Sequence, residues 1–436
     1  MSQKPTLSLR KIWDLNFGNL GLQVCSSLFI ANTSRILSAL GADTSNLAFL
    51  WLVAPIAGLI LQPIIGYFSD RTWSPLMGRR IPYIFIGGIM TALMMLLIPN
   101  SYLISQIIPP IFAGVSILFL IQSSLNLTMQ PYRSLIGDMV NKNQSNLGYS
   151  VQTYLSNFGG LFGSILPFIL VFWGVSNQVE GDNKIVDSVK WSFYIGAVLL
   201  LITNTWTCLR VKEYPPKLFK EYNQKPVVNS IGTIPKTRSA RLIIGQLSIV
   251  QFFCWFAFYY IWVYTTDGIA HTVWNTSDPY SESYNDAANW FGVLSGVYSL
   301  IAALFAIFIP RLVEKAGRKN LYSFALFLGG ISLISVYFIS SQYLLLLPMI
   351  GLGIAWGMIL TIPFAILSAV VPPERMGLYM GLFNISIVVP QITAGLAGNF
   401  IFNRLAGESA IAMIVIAGLS LCIGAVSVIF IQDKKE

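Results

Sequence analysis

Charge is scarce in this 436-residue chain. Only 10% of its residues are Asp, Glu, Lys or Arg, against about 25% in an ordinary soluble domain. A soluble core needs a charged surface to cover it, so the scarcity excludes a soluble globular protein. Histidine is reduced to one residue, His271. A membrane enzyme built on clustered His, Asp, Glu or Cys has little to work with, and neither an enzyme nor a metal or other cofactor is expected. The four cysteines, Cys25, Cys208, Cys254 and Cys422, fall inside apolar runs with no C-x-x-C spacing. They read as small packing residues. No G-x-x-x-x-G-K-[ST] loop occurs, so ATP-driven pumping has no support. The start, Met1 to Trp13, is a basic tail leading into an apolar stretch without a small-residue cleavage site. A removable signal peptide is not expected there.

What the chain has instead is apolar length. Hydrophobic residues make up 55% of it, and the mean hydropathy is +0.67. A transmembrane helix needs roughly 20 mostly apolar residues, and the runs here are continuous, unlike the ~10-residue alternating segments of a membrane barrel. Twelve spans are expected, at 13–37, 46–67, 82–99, 107–138, 145–174, 189–210, 241–266, 288–310, 320–339, 343–371, 375–403 and 409–431. The fold class is therefore an all-α membrane protein. With the N-terminus placed on the cytoplasmic side, all but four of the 27 Lys and Arg residues fall on inner segments or their flanking helix ends. That is the asymmetry that sets membrane orientation. The exceptions are Arg35, Lys184, Lys190 and Arg404. The net charge of +9 thus records topology rather than nucleic-acid binding. Both termini are expected in the cytoplasm and the protein in the cell (inner) membrane.

The chain divides into two halves with a weak repeat. "PYRSLIGDMV" from Pro131 and "PFAILSAVVP" from Pro363 each end the fourth span of their half, and "MGRR" (Met77–Arg80) returns as "AGRK" (Ala316–Lys319). The expected domains are a six-helix bundle at 1–210, a flexible, Pro-rich cytoplasmic linker at 211–240 and a second six-helix bundle at 241–436. Parallel six-helix repeats are the plan of major facilitator transporters. The loop "GYFSDRTWSPLMGRRIP" (Gly66–Pro82) sharpens this. Its order of Gly66, Asp70, Arg71, Gly78, Arg79 and Arg80 resembles the loop motif of the major facilitator superfamily. Within that superfamily the "SDR…GRRxP" form is similar to the glycoside–pentoside–hexuronide:cation symporters and the related plant-type sucrose and bacterial maltose or sucrose transporters. "FGNLGLQ" to "ANTSRIL" in the first span, "QSSLNLTMQPYRSLIGD" in the fourth and "QFFCWFAFYYIWVYTT" in the seventh resemble the same branch. The resemblance implies a major facilitator fold of twelve helices, a sugar substrate and alternating access.

Polar residues recur at helical spacing on one face of several spans, as cavity-lining helices require and lipid-facing ones do not. The first span has Asn16, Asn19 and Gln23, the fourth Gln122, Asn126, Gln130 and Arg133, the fifth Thr153 and Asn157, and the eleventh Asn384 and Gln391. Interhelical hydrogen bonding is the competing explanation for any one of them. In the seventh span Gln251, Trp255, Tyr259 and Trp262 share a face, and aromatic rings beside amides suit a neutral polyhydroxyl ligand. Packing is the alternative for each ring. The candidate substrate-binding residues are Asn19, Gln23, Gln122, Asn126, Arg133, Asn157, Trp255, Tyr259, Asn384 and Gln391. The candidate gating residues are Gly66, Asp70, Arg71, Gly78, Arg79, Arg80 and Asp138, with Arg133 either pairing with Asp138 or reaching substrate. Pro55, Pro63, Pro131, Pro363 and Pro390 are candidate bending points.

The fourth span also marks a departure. The sucrose-transporter pattern there resembles D-x-x-x-N-x-x-x-x-P-x-R-x-x-x-x-D, and this chain reads Gln122, Asn126, Pro131, Arg133 and Asp138. The resemblance assigns proton coupling to the first acid, and glutamine cannot take up a proton. Uniport and coupling through another group are the expectations that stay open. So do other polar metabolites, siderophore-like or amino-acid-derived, as cargo, and a non-transporting sensor on the same fold. The expected partners are a small-molecule substrate and the lipid bilayer, with no nucleic acid, and the protein is expected to act as a monomer.

Overall fold

A computed structural model describes residues 4–101, 109–141, 144–179, 185–223, 237–370 and 376–431. Among the described residues every regular element is helical: α1 (Leu9–Ala39), α2 (Thr44–Leu50), α3 (Val53–Arg71), α4 (Ile81–Leu97), α5 (Pro110–Met139), α6 (Ser145–Phe172), α7 (Asp187–Arg210), α8 (Pro216–Asn223), α9 (Thr237–Val273), α10 (Glu282–Ala306), α11 (Ile309–Ala316), α12 (Arg318–Ser335), α13 (Leu346–Val370), α14 (Met376–Arg404) and α15 (Ala410–Ser427). The absence of sheet follows from the solvent: in hydrocarbon each backbone N–H and C=O must be satisfied within its own segment, and the helix does that.

Eleven of the expected spans appear among the described residues as helices long and apolar enough to cross a membrane. The first expected span forms α1, which at 31 residues is long enough. Its apolar character is diluted by Asn16, Asn19, Gln23 and Asn32, so it falls short of the others on composition. The second expected span, 46–67, is not one helix. It is broken at Trp51–Leu52 into α2 and α3, four residues before Pro55, whose ring excludes the carbonyl of residue i−4 from a regular turn. Pro131, Pro363 and Pro390 instead stay inside continuous helices. The connection expected to be a flexible linker, 211–240, carries the helix α8, and α9 already begins at Thr237.

The helices pack into two compact units that do not follow the order of the chain. One holds residues 1–30, 57–175 and 187–233; the other holds 31–56, 176–186 and 234–436. In the first, α4 packs on α5 and α7, and α6 on α7. Buried Tyr132 of α5 donates to Asn204 Oδ1 of α7 at 2.7 Å, and Asn204 Nδ2 donates to the Ile84 carbonyl of α4 at 3.0 Å. Asn204 so ties three helices. In the second unit α15 packs between α9 and α12, α13 against α10 and α12, and α2 against α9 and α14. Its interior is aromatic, with Tyr259, Tyr260, Tyr264, Tyr284, Tyr322, Phe258 and Phe291 all fully buried.

Candidate functional site

In the first unit the polar faces of α1 and α6 meet. Asn19 is buried and donates through Nδ2 to Ser156 Oγ. Gln23, one turn on, is half-buried and lies against Gly159; Asn157 is half-buried beside Ser156. Asn16 donates to the carbonyls of Ile12 (2.9 Å) and Gly148 (3.3 Å). On α5, Gln122 is half-buried and Asn126 is buried, with its Nδ2 on the Gln122 carbonyl at 2.8 Å. Asn19 and Asn126 are therefore engaged with protein partners, while Gln23, Gln122 and Asn157 keep accessible side-chain surface.

Arg133 is exposed and makes no ion pair among the described residues. The expected pairing with Asp138 is not formed, because Asp138 is already occupied. Its Oδ2 accepts from Arg79 Nη2 at 2.6 Å and from Arg80 Nε at 3.0 Å. Arg80 Nη1 also donates to Ser69 Oγ at 2.6 Å. Arg71 stands apart from this cluster, exposed, with its guanidinium 3.4 Å over the Tyr67 ring. The side chains of Asp70 and Gly66 lie outside the described ones.

The cluster has a member that sequence reasoning missed. Glu213, just beyond α7, sends Oε1 to the backbone N–H groups of Arg80 (2.7 Å) and Ile81 (2.9 Å). These are the orphan donors of the first turn of α4, and a carboxylate there also meets the positive end of the helix dipole. Burial pushes the Glu213 carboxyl above its ordinary range, opposed by those N–H donors. Gly78, at φ +91°, leaves the room: a Cβ there would sit 2.8 Å from Glu213 Cβ. Phe219 of α8 lies 4.1 Å from the Arg79 guanidinium, and Lys4 Nζ donates to the Gly137 carbonyl at 2.7 Å. Burial lowers the Lys4 ammonium from its usual value, with Asp138 acting in the opposite direction. The segment from 211 to 223 is thus a fitted part of this cluster rather than slack chain.

In the second unit α9 carries the aromatic face. Trp255, Trp262 and Trp356 of α13 meet edge-on, with centroids 5.6 Å (Trp255–Trp356), 6.2 Å (Trp255–Trp262) and 6.1 Å (Trp262–Trp356) apart. All three are half-buried, and the indole N–H of Trp255 is a buried donor without an acceptor among the described residues. Trp356 carried no signal in the sequence, being a lone indole in an apolar run. Tyr259 is placed differently. It is 1% exposed, and its hydroxyl donates to the Ala48 carbonyl of α2 at 2.5 Å. It holds α2 and is closed to a ligand in this conformation. On α14, Asn384 and Gln391 are half-buried, and Ser386 bonds Ser248 of α9 at 2.7 Å.

More ties converge on residues 31–56. Ser34 Oγ donates to the Val263 carbonyl (2.8 Å) and accepts from Trp51 Nε1 (3.0 Å). Asp267 of α9 accepts from Thr44 Oγ1 at 2.6 Å and from the Tyr284 hydroxyl of α10. Arg35, one of the four exceptions to the charge asymmetry, is 3% exposed and surrounded by asparagine oxygens.

The profile of the family described as MFS/sugar transport protein matches residues 16–376. The chain belongs to this family. Among curated proteins, this member of the MFS/sugar transport family is 23% identical to sucrose transport protein SUT1 of Oryza sativa subsp. japonica, over 95% of this chain and 86% of that one. It is 22% identical to sucrose transport protein SUC4 of Arabidopsis thaliana, over 85% and 80%. Among solved structures it resembles the nucleoside transporter NupG (TM-score 0.68, 14% identity, 98% and 100% covered) and the inward-open xylose transporter XylE of E. coli (TM-score 0.66, 14% identity, 98% and 96% covered). The fold is that of the major facilitator transporters, as the loop motif and the repeated halves implied. The family consists of membrane transporters rather than enzymes.

Proposed function

We propose that the protein moves a glycoside or other small sugar across the cell membrane by alternating access, as a monomer with both termini in the cytoplasm. The observation that carries the substrate class is the half-buried trio Trp255, Trp262 and Trp356, in which the Trp255 indole N–H has no acceptor among the described residues. Such rings stack on the apolar C–H face of a pyranose, and an unpaired donor suits its hydroxyls. In the first unit the half-buried amides Gln23, Gln122 and Asn157, with Arg133, and in the second Asn384 and Gln391, are the further candidate hydrogen-bonding groups for substrate oxygens. The sucrose-transport relatives favour the same reading. The sequence halves 1–210 and 241–436 are the bodies that rock, joined through 211–240, and the cluster of Arg79, Arg80, Asp138 and Glu213 forms the cytoplasmic gate.

Gln122 takes no proton, so transport is either uniport or coupled through another group. The test is uptake into proteoliposomes of labelled mono- and disaccharides, with and without a pH or sodium gradient. Saturable uptake of a sugar is expected. Its absence across the panel would remove the substrate class and leave the fold standing.

A further inference from the structure

Arg35 is the residue that the charge asymmetry leaves unexplained. A charged side chain within a membrane-spanning segment is costly and is commonly paired with an opposite charge or with backbone carbonyls. Here all three faces of the guanidinium meet neutral amide oxygens. Nε donates to Asn285 Oδ1 at 2.6 Å, Nη1 to Asn289 Oδ1 at 2.7 Å and Nη2 to Asn177 Oδ1 at 3.1 Å. The Asp286 carboxylate is held a step away: its Oδ1 accepts from Asn177 Nδ2 at 2.6 Å. The asparagines come from two separate segments, α10 and the stretch at 176–179. Asn289 Nδ2 further donates to Asn177 Oδ1 at 3.1 Å, which locks the acceptors to one another. The clasp is a built site, buried and complete, that binds the far end of α1.

We propose that Arg35 is the releasable latch of the extracellular end of the transport path, and that its neutral acceptors set the latch strength so that it can open in each cycle. An arginine–carboxylate pair adds the attraction of opposite charges to its hydrogen bonds, and its bidentate form adds both energy and geometric specificity. Three amide oxygens hold the cation firmly enough to bury it. They leave no opposite charge to be stranded when the end opens and water takes their place. A carboxylate in the clasp would be stranded in that way. Arg35 acts through the position of α1 and not on the substrate, so it is a positioning residue. The assignment rests on the transport reading above.

The decisive variants strengthen the clasp instead of breaking it. Asn285→Asp and Asn289→Asp each put a carboxylate on the guanidinium and give up one amide donor, Asn285 Nδ2 to the Ser281 carbonyl or Asn289 Nδ2 to Asn177. Both should raise the thermal midpoint in detergent, lower sugar uptake and counterflow in proteoliposomes at least tenfold, and leave sugar binding in detergent within twofold. A purely structural arginine would gain stability with no loss of turnover. A second readout is Ser38→Cys, at a buried position near the end of α1, in a background in which the half-buried Cys208 and Cys422 are alanine. Its labelling by a membrane-impermeant maleimide should slow in the two aspartate variants and quicken in Arg35→Gln. Wild-type turnover in either aspartate variant, or a lowered midpoint in both, overturns the latch. If the wild-type protein binds no sugar at all, the substrate reading fails, and the Ser38→Cys labelling still decides the latch.

Discussion

Gly78 and Gly317 occupy matching places in the two loops "MGRR" and "AGRK", and they offer a matched pair of substitutions. Both have positive φ, +91° and +77°, so alanine at either is strained by about 1–3 kcal/mol. Their surroundings differ. Around Gly317 a Cβ would meet nothing within 4 Å, whereas at Gly78 it would meet Glu213 Cβ, Cδ and Oε1 at 2.8–2.9 Å. Glu213 cannot keep its two backbone acceptor bonds and also clear that Cβ. Hydrogen bonds to a charged group contribute about 1.5–3 kcal/mol each; discounted for partial exposure, the pair is worth about 2–4 kcal/mol. Gly78→Ala should therefore cost about 3–7 kcal/mol and Gly317→Ala about 1–3 kcal/mol. The assay is thermal unfolding of purified protein in one detergent, followed by intrinsic fluorescence, for Gly78→Ala, Gly317→Ala, Glu213→Ala and the double Gly78→Ala/Glu213→Ala. The double variant should melt close to Gly78→Ala, because the cap is already lost there. Equal midpoints for the two glycine variants, or additive losses in the double, would refute the reasoning.

The cap also makes a pH prediction. The Glu213 carboxyl lies above its ordinary value of 4.5 in the folded protein, so between those two values the folded state holds more protons than the unfolded one. Stability from this group is then fully present below about 4.5 and is lost as pH rises through the folded value. Melting scans of wild type and Glu213→Gln should show the wild type gaining on the variant as pH is lowered from 7 toward 5; a constant gap would sink this. Tyr132→Phe removes a buried hydroxyl and leaves Asn204 Oδ1 without that donor, so thermal unfolding in detergent should show a loss of about 1–3 kcal/mol. Gln122→Asp restores an acid at the position that the family pattern uses, and proteoliposomes carrying it should accumulate sugar under an inward proton gradient. If the parent already does so and acidifies the lumen, another group carries the proton.

The fold was largely legible in the sequence because lipid leaves the chain few options. Runs of apolar residues become helices, and the loop order from Gly66 to Arg80 identified the superfamily. The pieces that were not legible are those decided by one distant contact. Nothing local to Glu213 says that it caps α4, and the prolines of 211–240 read as slack chain although α8 begins at one of them. The break between α2 and α3 was foreshadowed by Pro55, but proline alone does not separate a kink from a break: Pro131, Pro363 and Pro390 interrupt no helix. The polar stripes show the same limit. A period of 3.6 says which face Asn19 and Asn126 share. It does not say that Ser156 and the Gln122 carbonyl take up their amides, since those acceptors become neighbours only once the helices have packed. Arg35 did leave a trace, as a cation on the wrong side of an otherwise lopsided charge distribution.

The protein meets its buried cations in two chemically distinct ways. Arg79 and Arg80 share a carboxylate, Asp138, with Arg79 and Asp138 half-buried at 18% and 17% side-chain exposure and Arg80 buried at 6%. The half-buried Arg79–Asp138 contact can part without stranding a fully dry charge. Arg35 is 3% exposed, and there a carboxylate partner would bind more tightly but would be costly to abandon. Amides remove that cost, and each clasping asparagine contributes an oxygen without a charge of its own. The proposed cycle makes and breaks the contacts at each end of the path, so the choice of partner bears on how readily each end opens. On that reading an ionic contact suits the half-buried Arg79–Asp138 pair and neutral acceptors the dry Arg35.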